Sequence, residues 1–318
     1  MNIALLEPLG VPASRIEELA APLKKAGHAF AYFDTKTTDP AELAARSMGA
    51  DVVMIANNPY PAEVIAKCPD LKMVAVAFTG IDHVGLAACK ERDITVCNCA
   101  GYSDVSVAEL TVGLAIDVLR RVAEGDAAAR DGHTSAGLMG REICGRTVGI
   151  VGCGKIGTQT AKLFRAFGAR VLGYARHERP EAVDAGVEFV SLERLLAESD
   201  IVSLHLPLND STRKSFGAQQ IAQMKDDAVL INCARGAIVD NEALAAALNS
   251  DHLAGAGIDV FDAEPPLDAD YALLHAKNCL LTPHVGFLTE EAMERRAVIE
   301  FDNVTAWLSG TPTNVCAL

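Results

Sequence analysis

Short apolar runs alternate along the chain with longer stretches in which apolar positions recur every three or four residues. In the first hundred residues NIALLEP, AFAYFD, DVVMIA, LKMVAVA and ITVCNC read as strands, rich in branched side chains and bounded by turn residues. SRIEELAAPLKKAG and PAEVIAKCP between them carry the helical period. Such alternation predicts a parallel sheet with crossover helices. SVAELTVGLAIDVLRRVAEG (106–125) predicts one long bridging helix: Ser106 and Glu109 make a capping box, and Val107, Leu110, Leu114, Val118 and Leu119 share the helical spacing. A second strand series follows, with TVGIV, RVLGYA, IVSLHLP, AVLINCA, AGAGIDV and NCLLTP. TEEAMERRAVIEFDNVTAWLSG (289–310) predicts a closing helix capped by Thr289, with two acids in its first turn, that returns to pack on the N-terminal unit.

The first strand of the second series runs into Gly152, Gly154 and Gly157, the G-x-G-x-x-G spacing that turns a strand tightly into a helix start. A dinucleotide pyrophosphate is expected there, on the free amides at the positive end of the helix. The first series has no such fingerprint. The predicted fold is therefore α/β with two doubly wound domains: a Rossmann dinucleotide-binding domain, residues 100–287, inserted in a flavodoxin-like substrate domain formed by 1–99 and 288–318. The domains are expected to meet across a cleft near the two crossovers.

The 318 residues are half apolar, enough for two sizeable cores. A formal net charge of -14 and a pI near 5.0 exclude general attraction to nucleic acid or anionic membranes and favour small-molecule chemistry. MNIALLEPLG has no basic segment leading into a long apolar one, and no apolar run approaches a bilayer span, so a cytoplasmic protein is expected. Nine cysteines, an odd number scattered through strands and helices, read as reduced thiols rather than a disulfide framework or a metal site. Cys153, inside the glycine loop, is either oxidation-sensitive or a small residue tolerated in a tight turn.

Three stretches after the fingerprint place chemistry just beyond strand ends: Arg235 in INCARGAIVD, Glu264 in FDAEPP and His284 in LLTPHVG. Open parallel sheets bind ligands outside the carboxyl ends of their strands, so the three side chains can converge. Hydride exchange between a nicotinamide and a 2-oxo acid needs exactly such types of group: an imidazole to exchange a proton with the oxygen, a carboxylate to fix its tautomer, and a guanidinium to grip the substrate carboxylate and polarise the adjacent carbonyl.

GCGKIG, HLPLNDSTR, NCARGAIVD with NEALAAAL, GAGIDVFDAEPP and LTPHVG, in this order and with FTGIDHVGL (78–86) and NCAGYSDVSVAEL (98–110) upstream, resemble the D-isomer-specific 2-hydroxyacid dehydrogenase family. The resemblance covers most of the chain and includes the inserted-domain layout. It implies His284 as general acid/base, Glu264 as its orienting partner and Arg235 as substrate anchor. It also implies substrate contacts around Phe78, Thr79 and Gly80, and cofactor contacts from Gly152, Gly154, Lys155, Ile156, Gly157, Leu206, Pro207, Thr212, Cys233 and Ala234. Asp259 would lie near the nicotinamide carboxamide; the competing reading is a carboxylate tying down a strand end. Two alternatives keep the same residues: a dinucleotide-sensing, corepressor-like binding protein, and a formate- or phosphite-type dehydrogenase.

NAD-using members of the family place an aspartate where this chain has Ala175. Its loss removes the ribose hydrogen bonds and a charge that would repel a 2′-phosphate, and Arg176, Arg179 and His177 follow directly. The pocket thus reads as one for NADP(H) in preference to NAD(H). Phe78, Tyr60 and Phe287 either line a substrate pocket or pack in the core. FTGIDH and ANNPY lack Arg and Lys, which disfavours a phosphorylated substrate and leaves the small, branched and aromatic 2-oxo acids open. The resemblance further implies a homodimer through the nucleotide domain.

Overall fold

The computed structural model describes residues 1–263 and 266–318, and they separate into two compact units, Met1–Ser103 with Leu288–Leu318, and Asp104–Phe287. Among the described residues, the first unit contains five parallel strands: β1 Asn2–Leu5, β2 Ala29–Tyr32, β3 Val52–Ile55, β4 Met73–Val76 and β5 Thr95–Asn98. Their order, β2-β1-β3-β4-β5, is the flavodoxin-like arrangement, with its switch point between β1 and β3. The crossovers carry helices α1 Ala13–Lys25, α2 Pro40–Ser47, α3 Ala62–Ala66 and α4 Leu86–Glu91. β3 and β4 are buried at every position, as central strands covered on both faces must be. The C-terminal helix Glu290–Leu308 begins where Thr289 accepts the Ala292 amide at 3.2 Å, the cap expected from the sequence.

The second unit opens with α5 Asp104–Arg120 and α6 Val122–Arg130 in place of the single helix expected over 106–125. Helix α5 starts two residues earlier than Ser106, which therefore lies buried within the first turn rather than preceding it as a cap. The break falls at Arg121, whose φ is 54°, and the Asp117 carboxylate takes the Ala123 amide at 3.1 Å, capping the new helix from the old one. Beyond it come β6 Thr147–Val151, α7 Lys155–Ala166, β7 Arg170–Tyr174, α8 Pro180–Asp184, β8 Val187–Phe189, α9 Leu192–Glu198, β9 Ile201–Leu204, α10 Ala218–Ile221, β10 Val229–Asn232, α11 Asn241–Asn249, β11 Gly255–Ile258 and β12 Cys279–Leu281. All pair in parallel in the order β12-β11-β10-β9-β6-β7-β8, the Rossmann order with the switch point between β6 and β9. The edge strand β8 escaped the sequence reading because three residues, V-E-F, carry too little period to register.

Strand alternation divides the core of this unit between the two faces of the sheet. Val148, Ile150, Ile201, Val229 and Ile231 pack with Leu114, Ala115 and Leu119 of α5 and with Ala161 and Phe164 of α7. Val151, Val202, Leu204, Leu230 and Ile258 pack with Leu195, Leu196, Leu244 and Leu248 of α9 and α11. The sheet is thereby clamped between helices, and the chemistry-bearing loops leave its carboxyl edge. No helix among the described residues is long and apolar enough to cross a membrane.

Candidate active site

The glycine turn divides its work among three positions. Gly152 has φ 100°, and a Cβ there would lie 2.5 Å from the His205 carbonyl oxygen, so only glycine makes this turn between adjacent strands. A Cβ on Gly157 would lie 2.1 Å from the Gly152 carbonyl oxygen, which is how closely α7 approaches the turn. At Gly154 the same test finds nothing within 4 Å: the backbone faces open space at the start of α7, whose N-terminus has no side-chain cap. An uncovered amide end of a 12-residue helix is the cradle a pyrophosphate fits, and Lys155 and Ile156 form its first turn. Cys153 is buried with its thiol pushed up to about 11 by that burial, so it belongs to the packing of the turn and is a poor oxidation target.

β7 ends at Tyr174, and Ala175 packs partly against the core beneath it. Arg176, His177 and Arg179 follow, all exposed, and neither guanidinium has an ion-pair partner among the described residues. Two uncompensated cations where an acid would hold a ribose hydroxyl suit a phosphate in that place. After β9, on the far side of β6 from β7, the 205–212 loop is closed upon itself: the Thr212 hydroxyl donates to the Pro207 carbonyl at 2.7 Å and accepts the Asn209 amide at 2.9 Å. Leu206 packs against the core. His205, beside the glycine turn, lies 2.9 Å from the buried Ser203 hydroxyl, and burial pushes its imidazole down to about 4, leaving it neutral at physiological pH.

β10 delivers Arg235. The buried Asn232 side chain accepts the Ala234 amide at 3.0 Å and donates to the Arg235 carbonyl at 3.0 Å, folding the chain back on itself so that Cys233 stays buried and Arg235 comes out half-exposed. Burial and the neighbouring Asp259 push the Cys233 thiol up to about 12. Gly236 then runs against the next loop so tightly that a Cβ would lie 1.9 Å from the Phe261 carbonyl carbon. The 261–263 segment is held from its other side: Tyr271 meets the Phe261 ring edge-on, with centroids 5.9 Å apart, and its hydroxyl donates to Asp262 at 2.7 Å. Glu264 lies just past this segment, outside the described residues.

β12 delivers His284. Its backbone is left-handed, φ 56°, an uncommon conformation for a side-chain-bearing residue, and the imidazole is half-buried against Phe287. The loop is fixed by Asp259, which is 1% exposed. Oδ1 accepts the Thr282 hydroxyl at 2.6 Å and the Val285 amide at 2.8 Å, and Oδ2 accepts the Gly286 amide at 2.8 Å. Burial raises the Asp259 carboxyl above its ordinary range, while these donors and the His284 charge oppose that rise. Of the two sequence readings of Asp259, the tie at the strand end is thus visible in its hydrogen bonds, and what it ties is the loop carrying the imidazole. The partners of this tie lie 23 to 27 residues away, beyond the range of any local pattern.

The second unit therefore brings Gly152, Gly154, Gly157, Ala175, Pro207, Thr212, Ala234, Arg235, Asp259 and His284 to one edge of one sheet. Phe78, Thr79 and Gly80 follow β4 in the first unit. There the Thr79 carbonyl accepts the Asn98 side chain at 2.7 Å, while the Phe78 ring is buried against Tyr102 and His83. Tyr60 is fully buried, with its hydroxyl on Ser47.

Residues 112–286 match the model of the D-isomer specific 2-hydroxyacid dehydrogenase NAD binding domain. The sequence is 33% identical over 302 residues to a hydroxypyruvate reductase of Blautia hydrogenotrophica, covering 92% of this chain and 93% of that one. It is 36% identical over 308 residues to a glycerate dehydrogenase of Methylorubrum extorquens, covering 94% and 96%. Among solved structures, an acyclic imino acid reductase in complex with NADPH and D-Arg matches with a TM-score of 0.89 and 28% identity across 100% of both chains.

Proposed function

The chain belongs to the D-isomer specific 2-hydroxyacid dehydrogenase family, and from that membership we propose that it reduces a 2-oxo acid to the D-2-hydroxy acid, with NADP(H) as its dinucleotide. The observation that carries the reading is the loop of His284, bound through Asp259 at three points on the sheet edge that also presents Arg235 and the open glycine turn.

A nicotinamide dinucleotide held at the glycine turn would supply the hydride that reduces C2 of the substrate. Arg235 holds the substrate carboxylate and reaches the carbonyl oxygen, drawing electron density from C2. His284, as imidazolium, gives its proton to that oxygen as negative charge develops there, and in the reverse direction the neutral imidazole takes the hydroxyl proton. The family resemblance assigns to Glu264 the role of fixing the imidazole tautomer. The amides from Gly152 to Gly157 would hold the pyrophosphate, and Arg176 and Arg179 the 2′-phosphate. Support for NADP(H) comes from Ala175 in the acidic position and from two exposed arginines beside it without ion-pair partners among the described residues.

Consumption of NADPH, and separately of NADH, is followed by absorbance with a panel of 2-oxo acids, and product chirality is read on a chiral column. Turnover to the D-product is expected, and inertness toward every acid would remove the reading. His284→Ala is expected to lower kcat by about 100-fold or more. A near-normal rate would move the acid–base role elsewhere.

A homodimer through the second unit is part of the same proposal. Val122, Met139 and Phe167 of that unit are 51%, 93% and 46% exposed, large apolar side chains of the kind a partner surface covers. Light scattering that gives the monomer mass would overturn it.

A further inference from the structure

Three aromatic side chains stood as candidates for a substrate wall, and the fold separates them. Phe78 and Tyr60 are spent in the core of the first unit. Phe287 is half-exposed, and its ring meets the His284 imidazole at 87° with centroids 5.3 Å apart. We infer that Phe287 sets the substrate class of the reaction proposed above, on which this inference rests, by favouring 2-oxo acids whose C2 bears an apolar side chain.

The geometry of a 2-oxo acid explains why. C2 is planar, and its carbonyl oxygen has two lone pairs, one on the carboxylate side and one on the side of the substituent. A guanidinium that bridges the carboxylate and the carbonyl oxygen takes the first lone pair. The imidazole must then approach the second, from the side on which the substituent leaves C2. A side chain that packs against the imidazole on that side consequently faces the substituent. Here it is a phenyl ring on the residue third along from His284, in a loop held by Asp259, whose carboxylate is itself occupied by Thr282, Val285 and Gly286. A ring in this place gains contact area from an alkyl or aryl group and offers nothing to a hydroxymethyl group, which would lose water there without a replacement hydrogen bond.

The test uses glyoxylate as an internal reference, since it has hydrogen where other 2-oxo acids have a side chain. kcat/KM is measured for glyoxylate, hydroxypyruvate and 4-methyl-2-oxopentanoate with the wild-type protein, Phe287→Ala and Phe287→Leu, each first checked for folding by its thermal transition. The wild type should favour the branched acid over hydroxypyruvate by about tenfold or more. Phe287→Ala should lower the ratio of branched acid to glyoxylate by about tenfold, and Phe287→Leu, which keeps an apolar wall, should restore most of it. A loss shared equally by all three acids would make the ring a positioning residue for His284 and overturn the inference. So would a wild type that prefers hydroxypyruvate. A wild type that turns over none of the acids removes the proposed reaction and this inference together, whereas turnover with unmoved ratios sinks the inference alone.

Discussion

Oδ2 of Asp259 accepts the Gly286 amide at 2.8 Å across 27 residues of chain, joining the end of one strand to the loop beyond its neighbour. Its other oxygen takes the Thr282 hydroxyl and the Val285 amide, so the bound groups bracket His284 and help hold its left-handed backbone. A carboxylate is the one small side chain that can accept from three donors in this way.

Asp259→Asn keeps the shape and replaces one acceptor oxygen by an NH2 group. Whichever way the amide turns, one donor of the loop then faces another donor. The buried mismatch should cost about 1–3 kcal/mol of stability, read from denaturant unfolding. Displacement of the imidazole by a fraction of an ångström should lower kcat by about tenfold or more. A raised KM for the dinucleotide with unchanged kcat would instead place the carboxylate on the cofactor.

Gly236→Ala tests whether the loops of Arg235 and Phe261 act as one body. The added Cβ would sit 1.9 Å from the Phe261 carbonyl carbon, a backbone atom that cannot swing aside as a side chain would. Separation of the two loops is required. A loss of about 1–3 kcal/mol in stability is expected, together with a higher KM for the 2-oxo acid as Arg235 shifts. Unchanged stability would mean that the loops part freely.

The cofactor reading turns on the end of β7. Arg176→Ala should raise KM for NADPH by about tenfold while changing that for NADH less than about threefold, the loss of one charge-assisted phosphate contact. Ala175→Asp should act in the same sense from the opposite cause, by setting a carboxylate against the phosphate and offering it to a ribose hydroxyl. Equal effects on the two dinucleotides would leave Arg176 and Arg179 as solvated surface charges.

How much of this could be read beforehand depends on the range of the interactions involved. Strand runs such as DVVMIA and AVLINCA are local statements of burial and were legible, as were the glycine turn and the Thr289 cap, each complete within a few residues. The break at Arg121 was not, because the apolar period continues through it and the capture of Ala123 by Asp117 leaves no mark in that period. Asp259 and Gly236 were ambiguous or silent for a related reason. Their partners lie on other strands, and only the register of β10, β11 and β12 brings the loops together. Arg235 and His284 could be singled out because they follow strand ends and stand in motifs whose order resembles the family's. Phe287 could not be told from a core side chain until its exposure and its contact with His284 were known.

The first unit holds an acid whose behaviour with pH follows from its burial. Glu300 is fully buried, and neither of its carboxylate oxygens has a hydrogen-bond partner among the described residues. Burial raises its carboxyl well above the ordinary range; the charge of Arg296 opposes that rise and the nearby Glu7 adds to it. The folded protein therefore keeps a proton that the unfolded chain releases near pH 4.5. Stability from this group is fully present below that value and declines as pH rises toward the folded value, by up to about 1.4 kcal/mol per pH unit. Glu300→Gln imitates the protonated form and cannot lose a proton. It should match the wild type or exceed it in unfolding free energy at about pH 8, and the difference should move in favour of the wild type as pH is lowered to about 5. Urea unfolding of both proteins at several pH values measures this directly. A variant that is less stable by the same amount at every pH would show that Glu300 contributes through packing alone and carries no titration in this range.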